Sequence, residues 1–279
     1  MSRTLTILGC GSSGGVPKPG SGWGVCDPAE PKNRRRRCSV LVERAGPGGT
    51  TRLLVDTSPD LREQLLDADV SELDAVLFTH DHADHTHGID DLRALVLHNR
   101  KRVPVYADAR TSKSLAARFA YLFETPAGSL YPPILDRLPL EDGVPVSIQG
   151  AGGELSVLPV TVEHGPNYPA LGFRFGDLGY VPDVSLIPPS AKAALAGLDV
   201  LIIDCLRETP HPSHFTVEEA LEAIAELKPK RGILTDLHAD LDYTRLRKRL
   251  PPNVEVAFDG MRVSFEAAAD SATTAAADI

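Results

Sequence analysis

Short apolar runs alternate along the chain with segments whose apolar residues recur at helical spacing. Runs of strand length lie at residues 4–8, 39–43, 51–56, 75–78, 103–106, 155–162, 171–175, 198–204 and 232–235. Helical spacing occurs at residues 59–67, 88–98, 111–123, 188–197 and 216–227. Thr216 and Glu219 add a capping-box signature at the start of the last of these segments. The alternation predicts an α/β layered fold.

No repeat period or long linker divides the chain, so a single domain over residues 1–266 is predicted. With 279 residues and 42% hydrophobic content, the chain is long enough to bury a full core. Residues 267–279 are rich in alanine and lack a periodic apolar face, which predicts a disordered tail.

Residues 125–145 have the least regular pattern and contain several prolines. They follow an aromatic stripe formed by Phe119, Tyr121 and Phe123. Helical spacing alone explains such a stripe, so it favours a core or oligomer contact, such as a homodimer interface, over a substrate lid.

The formal net charge of -9 argues against a general nucleic-acid or anionic-membrane surface. The run Arg34–Arg37 has the opposite charge and is typical of a solvated loop or a salt-bridged strand edge, with a local anion-steering patch as the alternative. The chain shows no secretion signal and no apolar run long enough to span a bilayer. Its cysteines form no CxxC pair and are predicted to be free thiols of a cytoplasmic protein: Cys10, Cys26, Cys38 and Cys205.

The highest density of metal-binding residue types is in the segment Thr79–His85, THDHADH, directly after the apolar run 75–78. A buried strand holds its end still, and the turn after it can fold side chains around one point. Neutral imidazoles with carboxylates suit zinc, iron or manganese, and the donors outnumber those that one tetrahedral ion needs. An exposed polar turn gains nothing from this density of ligand types. The segment therefore predicts a metal site with these candidate ligands: His80, His82, Asp84 and His85.

Two other functions, dinucleotide binding and catalysis by a serine nucleophile, have weaker support in the sequence. Gly9, Gly11 and Gly14 match the dinucleotide-binding pattern G-x-G-x-x-G after a strand, but the glycines and prolines that follow prevent the helix that would hold a pyrophosphate. A serine nucleophile at Ser12 or Ser13 lacks a G-x-S-x-G elbow, and the histidines are spaced for a metal.

With His164 in VEHGP, Asp183 in VPDVS and His238 in TDLHADLDY, the THDHADH motif resembles the metallo-β-lactamase superfamily. The opening LTILGCGSSGGVP, the RRRRCS segment and the ending FDGM are most similar to PhnP-type phosphodiesterases. The resemblance spans residues 4–265. It implies a single-domain αββα sandwich whose loops hold one or two metal ions at one edge of two sheets.

The resemblance also implies a role for each motif residue. The first ion is expected on His80, His82 and His164, the second on Asp84, His85 and a late histidine, and Asp183 is expected to bridge them. His238 is assigned as the late ligand because an imidazole completes the family's donor set. Asp236 is assigned as a supporting residue, with ligation by Asp236 in place of His238 as the alternative.

Three further assignments follow from the resemblance. Asp56, at the end of LLVD, matches a carboxylate that orients the ligand turn. His214, just before the helix predicted at Thr216, and Asp84 are assigned as catalytic. Only Cys26 lies in the loop where related enzymes hold a structural zinc, so no structural zinc is predicted. No substrate-binding residue is assigned.

The implied function is metal-dependent hydrolysis of a small phosphodiester, with a cyclic sugar phosphate as one option, by a hydroxide that bridges two ions. Zinc is expected first, with manganese or iron as alternatives. The expected partner is a small phosphorylated substrate. A tRNA 3′-processing endonuclease is the nearest alternative, although the segment between His164 and Asp183 is too short for a tRNA-clamping arm. A thioesterase or lactonase, or a non-catalytic carrier in quinone-cofactor biosynthesis, also has this fold.

Overall fold

The structure is a computed structural model that describes residues 2–266, so the tail predicted at 267–279 lies outside the described residues. The strands are β1 (Arg3–Gly9), β2 (Ser39–Gly46), β3 (Gly49–Val55), β4 (Ala75–Leu77), β5 (Val103–Ala107), β6 (Leu135–Pro139), β7 (Val146–Ile148), β8 (Leu155–Glu163), β9 (Pro169–Phe175), β10 (Leu178–Val181), β11 (Val200–Asp204), β12 (Arg231–Thr235), β13 (Val254–Val256) and β14 (Arg262–Phe265). The helices are α1 (Leu61–Asp67), α2 (Ala83–Thr86), α3 (Leu92–Asn99), α4 (Ala109–Arg118), α5 (Ala120–Phe123), α6 (Pro189–Ala194), α7 (Val217–Leu227) and α8 (Tyr243–Arg247). Short 3₁₀ turns occupy Pro31–Asn33 and Ile89–Asp91.

The strands form two seven-stranded mixed sheets. The first has the order β14-β1-β2-β3-β4-β5-β6, and the second has the order β13-β12-β11-β10-β9-β8-β7. Pairing is parallel from β3 to β6 in the first sheet and from β10 to β13 in the second, and antiparallel elsewhere. The predicted αββα sandwich is confirmed.

The alternation of side chains along each strand builds the layers. Leu53 and Val55 of β3 lie in the core between the sheets, together with Phe173 of the second sheet. Leu54, between them in sequence, belongs to a second core with Leu61 of α1. The first sheet thus buries both faces, one against the other sheet and one against helices.

The sequence pattern missed the edges of both sheets. The four terminal strands, β6, β7, β13 and β14, are three to five residues long, and β6 lies within the segment predicted to be irregular. Edge strands are short and have one unpaired side, so they lack the continuous apolar run that marks a central strand. The pattern also missed the four-residue β10 and helix α8.

The arginine run is not a solvated loop. Arg35 is buried at 2% exposure and donates to the carbonyl oxygens of His238 at 3.1 Å and Leu241 at 2.7 Å. Arg36 and Arg37 form ion pairs with Asp67 and Asp60 of the α1 region, in line with the salt-bridged alternative. The run therefore joins the loop between β1 and β2 to two distant parts of the chain.

The four cysteines are buried free thiols, as predicted. Among residues 2–266, no helix has the length and the apolar character needed to cross a membrane. The cytoplasmic location stays a prediction.

Gly88 follows the ligand turn and is a sensitive point of the fold. A Cβ built on it would lie 2.0 Å from the carbonyl oxygen of Ser58 and 2.8 Å from Cβ of Leu61, both fully buried residues. Because neither neighbour can move freely, we expect Gly88→Ala to lower the free energy of unfolding by about 2 kcal/mol. Urea unfolding followed by circular dichroism measures the change.

Gly14→Ala is the matched control, because its Cβ would meet only the flexible side chain of Lys18 at 3.0 Å or beyond. Its expected effect is below about 0.5 kcal/mol. Equal losses of stability in the two variants would contradict the close packing inferred at Gly88.

Candidate metal centre

The candidate ligands lie at the ends of strands along one edge of the sandwich. The carboxyl ends of parallel strands meet at the same edge of a sheet, and β8 runs parallel to β10 because both are antiparallel to β9. Short loops there bring together residues that are far apart in sequence. These residues are Asp56 after β3, His80 after β4, His164 after β8, Asp183 after β10, Asp204 at the end of β11 and Asp236 after β12.

The carboxylate of Asp183 occupies the middle of the cluster and is 3% exposed. Its Oδ1 lies 3.2 Å from Nε2 of His85. Its Oδ2 lies 3.5 Å from Nε2 of His164 and 3.8 Å from Nε2 of His80. Nε2 of His214 faces the same oxygen at 4.0 Å. One carboxylate therefore faces four imidazoles from three separate segments of the chain.

Among residues 2–266, the potential ligand atoms form four overlapping groups. His214 belongs to two of them, one with His164 and Asp183 and one with Asp204 and Asp236, and the other two consist only of predicted ligands. In the first of these other two, His80, His82 and His164 place their ligand atoms within 4.8 Å of one another, and Nδ1 of His82 is 3.2 Å from Nε2 of His164. In the second, His80, His85 and Asp183 do the same, and the carboxylate of Asp84 reaches to 3.6 Å from Nε2 of His85. The structure thus brings together six of the seven residues predicted as metal ligands.

Hydrogen bonds orient three of these imidazoles in the same way. Nδ1 of His85 donates to Asp56 at 2.7 Å, and Nδ1 of His164 donates to the carbonyl oxygen of Ser213 at 2.7 Å. Nδ1 of His80 contacts Oγ1 of Thr79 at 2.9 Å. When Nδ1 carries the proton, the lone pair on Nε2 is left free to bind a metal. In each case that Nε2 atom faces Asp183.

Asp56 is the residue that supports the ligand turn. It is fully buried, and its carboxylate accepts the backbone N–H of Thr79 at 2.8 Å, the Thr79 hydroxyl at 2.8 Å and Nδ1 of His85 at 2.7 Å. Its backbone has a φ of 63°, a conformation that aspartate adopts more readily than bulky residues do. Asp56 thus occupies the supporting position that the sequence predicted.

The pKa values of the cluster reflect buried charge. Burial lowers the pKa of His80 well below its ordinary value. Burial alone would also lower the pKa of His85, but the nearby carboxylates, Asp183 first, raise it well above that value. Burial would raise the pKa of Asp183, yet His85 and His80 hold it well below its usual range. The carboxylates therefore favour a positively charged group, such as protonated His85, at this edge of the sandwich.

The donors present fit divalent metal ions. Among residues 2–266, several buried ligand-type atoms have no hydrogen-bond partner: Nε2 of His80, Nε2 of His85, Oδ1 of Asp183 and Oδ2 of Asp236. An unpaired buried polar atom is costly, and bound cations would give such atoms partners. Imidazole nitrogens with carboxylate oxygens are a donor set for zinc, manganese or iron.

The structure does not bring His238 into the cluster. Its Nε2 lies 2.5 Å from Nζ of Lys18, and its Nδ1 lies 3.0 Å from the carboxylate of Asp240. The backbone explains why, since the N–H of His238 donates to the carbonyl oxygen of Leu206 at 3.0 Å. The chain after β12 is therefore held against other loops by hydrogen bonds. His238 is not free to move toward the cluster and bind a metal there.

Asp236 occupies the place that the sequence assigned to a ligand at His238. Its φ of 58° turns the chain directly after β12, and its carboxylate is 2% exposed. Burial raises its pKa well above the usual range, with further contributions from Asp183. A buried carboxylate crowded by another favours a bound cation, so Asp236 is the better-placed last ligand.

His214 lies beside the cluster, held by a carboxylate that the sequence analysis missed. Nδ1 of His214 donates to Oδ2 of Asp204 at 2.8 Å and lies 3.2 Å from Oδ2 of Asp236. Burial would lower the pKa of His214, but Asp204 raises it well above its ordinary value. The signal for Asp204 was the sequence VLIID, an apolar strand that ends in aspartate as LLVD does at Asp56.

Tyr168 is a second residue that the sequence did not reveal. Its ring stacks on His82, with 4.7 Å between the ring centroids and 28° between the planes. Its hydroxyl donates to the carboxylate of Asp81, inside the ligand motif. Tyr168 therefore packs against the half of the ligand turn that faces solvent.

Residues 51–236 match the family model described as a beta-lactamase superfamily domain. A crystal structure described as a new diphosphatase from the PhnP family is similar with a TM-score of 0.85 and 35% identity, over 96% of this chain and 99% of that chain. An octanoyltransferase from Porphyromonas gingivalis is 34% identical over 266 residues, which cover 93% of this chain. The match covers 51% of the octanoyltransferase, so this chain spans about half the length of that relative. Coenzyme PQQ synthesis protein B from Methylobacterium nodulans is 29% identical over 218 residues, 71% of each chain.

Metal content of variants tests which residue after β12 is the last ligand. We expect Asp236→Ala to lower the metal content from about two ions per chain to about one, because the second ion would lose the carboxylate assigned as its last ligand. His238→Ala should keep both ions, since its imidazole contacts Lys18 and Asp240 instead. Elemental analysis of the purified variants measures the ratio.

Asp183→Ala is the reference for complete loss, because both groups share its carboxylate. The reverse pattern, with loss of an ion in His238→Ala and full content in Asp236→Ala, would restore His238 as the ligand.

Proposed function

Because this chain belongs to the metallo-β-lactamase superfamily, we propose that it is a metal-dependent hydrolase whose substrate is a small phosphodiester. The observation that carries the proposal is the carboxylate of Asp183 between two groups of ligand side chains, with His214 fixed beside it. Similarity to a PhnP-family diphosphatase over nearly the whole of both chains supports a substrate that contains phosphorus.

Each ion has a set of residues to hold it. His80, His82 and His164 would hold the first, and Asp183 would be shared. The second would be held by Asp84, His85 and Asp236. When bound, the ions would supply positive charge for the phosphoryl oxygens and activate a water molecule as the nucleophile. Zinc is the first expectation for these donors, with manganese or iron as alternatives.

His214 is placed to act on the leaving group. Asp204 accepts the proton of Nδ1, which fixes the ring and leaves Nε2 directed at the centre of the cluster. An alkoxide that departs from phosphorus needs a proton, and an imidazole N–H is suited to give it. In this proposal Nε2 of His214 donates that proton, and Asp204 stabilises the ring in the required orientation.

Acyl thioester hydrolysis is the second candidate function. It is favoured by the 34% identity to an octanoyltransferase, a protein about twice as long as this chain. A non-catalytic role in quinone-cofactor biosynthesis is favoured by the weaker similarity to coenzyme PQQ synthesis protein B. The three candidates share the metal centre and differ in the bond that is cleaved, if any.

A substrate panel on the metal-loaded protein tests the proposal. The panel contains bis-p-nitrophenyl phosphate, a cyclic nucleotide, ADP-ribose, an octanoyl thioester and a lactone. We expect turnover of the phosphorus compounds, a loss of about a thousandfold after chelation, and recovery with zinc or manganese. Release of nitrophenol and chromatography of products measure the rates.

Asp183→Ala serves as the inactive control. Turnover of the thioester alone would replace the proposed function with the second candidate. A protein that binds metal and cleaves no member of the panel would favour the non-catalytic role.

The role of His214 predicts a dependence on the leaving group. His214→Ala should slow cleavage of a diester with an alkyl leaving group by about 100-fold, because the alkoxide then departs without a proton. Cleavage of a nitrophenyl diester should change by less than about threefold, since nitrophenolate is stable without one. Steady-state rates with both substrates measure the difference.

His211→Ala is the matched control, since its ring lies 5.1 Å from that of His214 and it forms no contact with Asp204 among the described residues. It should leave both rates within about threefold, as expected for a neighbour without a role in proton transfer. Equal losses on both substrates in His214→Ala, or unchanged metal content with no loss at all, would contradict the proton-donor role.

A further inference from the structure

A cleft of about 680 Å³ opens beside the metal centre, on the side of His82. Its walls include His82, Arg110, Arg118, Phe119 and Tyr168. The cleft therefore borders the candidate ligand His82 directly.

The two arginines of the cleft differ in their contacts. Arg118 is engaged with the ligand turn, because Nη1 donates to the carbonyl oxygen of Asp81 at 2.5 Å and Nη2 lies 3.4 Å from its carboxylate. Arg110 has neither a hydrogen bond nor an ion pair within residues 2–266. The donors of its guanidinium are therefore available to a ligand.

The guanidinium of Arg110 is nevertheless held in place. Its Cζ lies 3.8 Å from the centroid of the Tyr168 ring, within the range of a cation–π contact. Tyr168 in turn stacks on His82 and donates its hydroxyl to Asp81. Only one aromatic ring thus separates an unpaired guanidinium from a residue of the metal centre.

The charged side chains that line the cleft, two arginines and one aspartate, give it a net positive charge. Asp81 is the acidic residue of its walls, and Arg118 already pairs with it. Arg110 adds a second positive charge, which acts on the same carboxylate without a hydrogen bond or a close ion pair to it. A planar fork of N–H donors matches two oxygens of a phosphate or carboxylate, which is the group that such a site favours.

We propose that Arg110 is a specificity-determining residue that binds a second anionic phosphoryl group of the substrate, beyond the phosphorus that is attacked. The inference rests on the proposed function, because it places the scissile phosphorus at the metal centre. It narrows the substrate class from phosphodiesters in general to those with a second phosphate on the His82 side. Phe119 and Tyr168 provide apolar surface for the group that links the two phosphates.

A pair of chromogenic substrates isolates this contact. Thymidine 5′-p-nitrophenyl phosphate has only the scissile phosphate, and its 3′-phosphorylated form adds one anionic group. In the metal-loaded wild type, we expect the added phosphate to lower KM by about tenfold or more, the effect of a charge-assisted bidentate contact. Arg110→Ala should abolish that advantage and leave kcat/KM for the simpler substrate within about twofold.

Two further variants distinguish the bidentate geometry of Arg110 from its charge and from the general effect of removing a stacked arginine. Arg110→Lys should keep part of the advantage, since it retains the charge but loses the bidentate geometry. Arg137→Ala is the matched control, because Arg137 also stacks on an aromatic ring, Phe123 at 5.5 Å, and does not line the cleft. It should behave as the wild type.

The outcomes separate this inference from the proposed function. If the wild type gains nothing from the second phosphate, or if Arg110→Ala loses equally on both substrates, the inference is overturned. If neither diester is cleaved, the proposed function fails, and calorimetric binding of ADP against AMP then tests Arg110 alone. A preference for ADP that disappears in Arg110→Ala supports the anion site, and its persistence overturns it.

Discussion

The buried hydrogen bonds of Asp56 are the interaction on which the rest of the centre depends. They join the end of β3 to the turn after β4, so two neighbouring strands share one carboxylate. Without them, His85 would have no fixed tautomer, and Thr79 would have no partner to orient it toward His80. The geometry of the ligands is therefore set by the protein before any ion binds.

The same principle applies within the second sheet. His164 comes from the second sheet and is oriented by a backbone carbonyl of the loop that also contains His214. Asp204 orients His214 from the neighbouring strand and also accepts the backbone N–H of Val184 at 2.9 Å, next to Asp183. His164 and His214 are thus positioned by other segments of the second sheet. The contacts that join the two sheets include those of Asp183 with His80 and His85, so a shift of one sheet against the other would disturb the cluster there.

The sequence was sufficient for the central strands and for the ligand motif, because both are local. The run from Ala75 to Phe78 is buried and the motif follows it directly, so spacing alone located His80 to His85. It was not sufficient where the outcome depends on distant contacts. Whether Asp236 or His238 faces the cluster is decided by the carbonyl of Leu206, about thirty residues away.

Arg35 is a second case in which distant contacts decide the environment of a residue. Four arginines in sequence predict a solvated loop or a salt-bridged strand edge, and neither predicts burial. Arg35 is nevertheless buried, because carbonyl groups more than two hundred residues later accept its N–H hydrogen bonds. Asp204 and Arg110 were also missed. Asp204 had a sequence signal in the apolar run that it ends, whereas the role of Arg110 becomes visible only when Tyr168 is placed beside it.

The bonds from Arg35 to residues 238 and 241, and from the backbone N–H of Leu237 to the carbonyl of Cys10, have a consequence for biosynthesis. The loop after β1 leaves the ribosome early, but its buried donors and acceptors have no partners until the segment after β12 has been made. The loop after β1 and the segment after β12 can therefore complete their hydrogen bonds only after both have been synthesised. The metal centre is completed in the same late step of folding. A chain without the segment after β12 would leave the guanidinium of Arg35 without these carbonyl acceptors, and a charged group cannot be buried cheaply without partners.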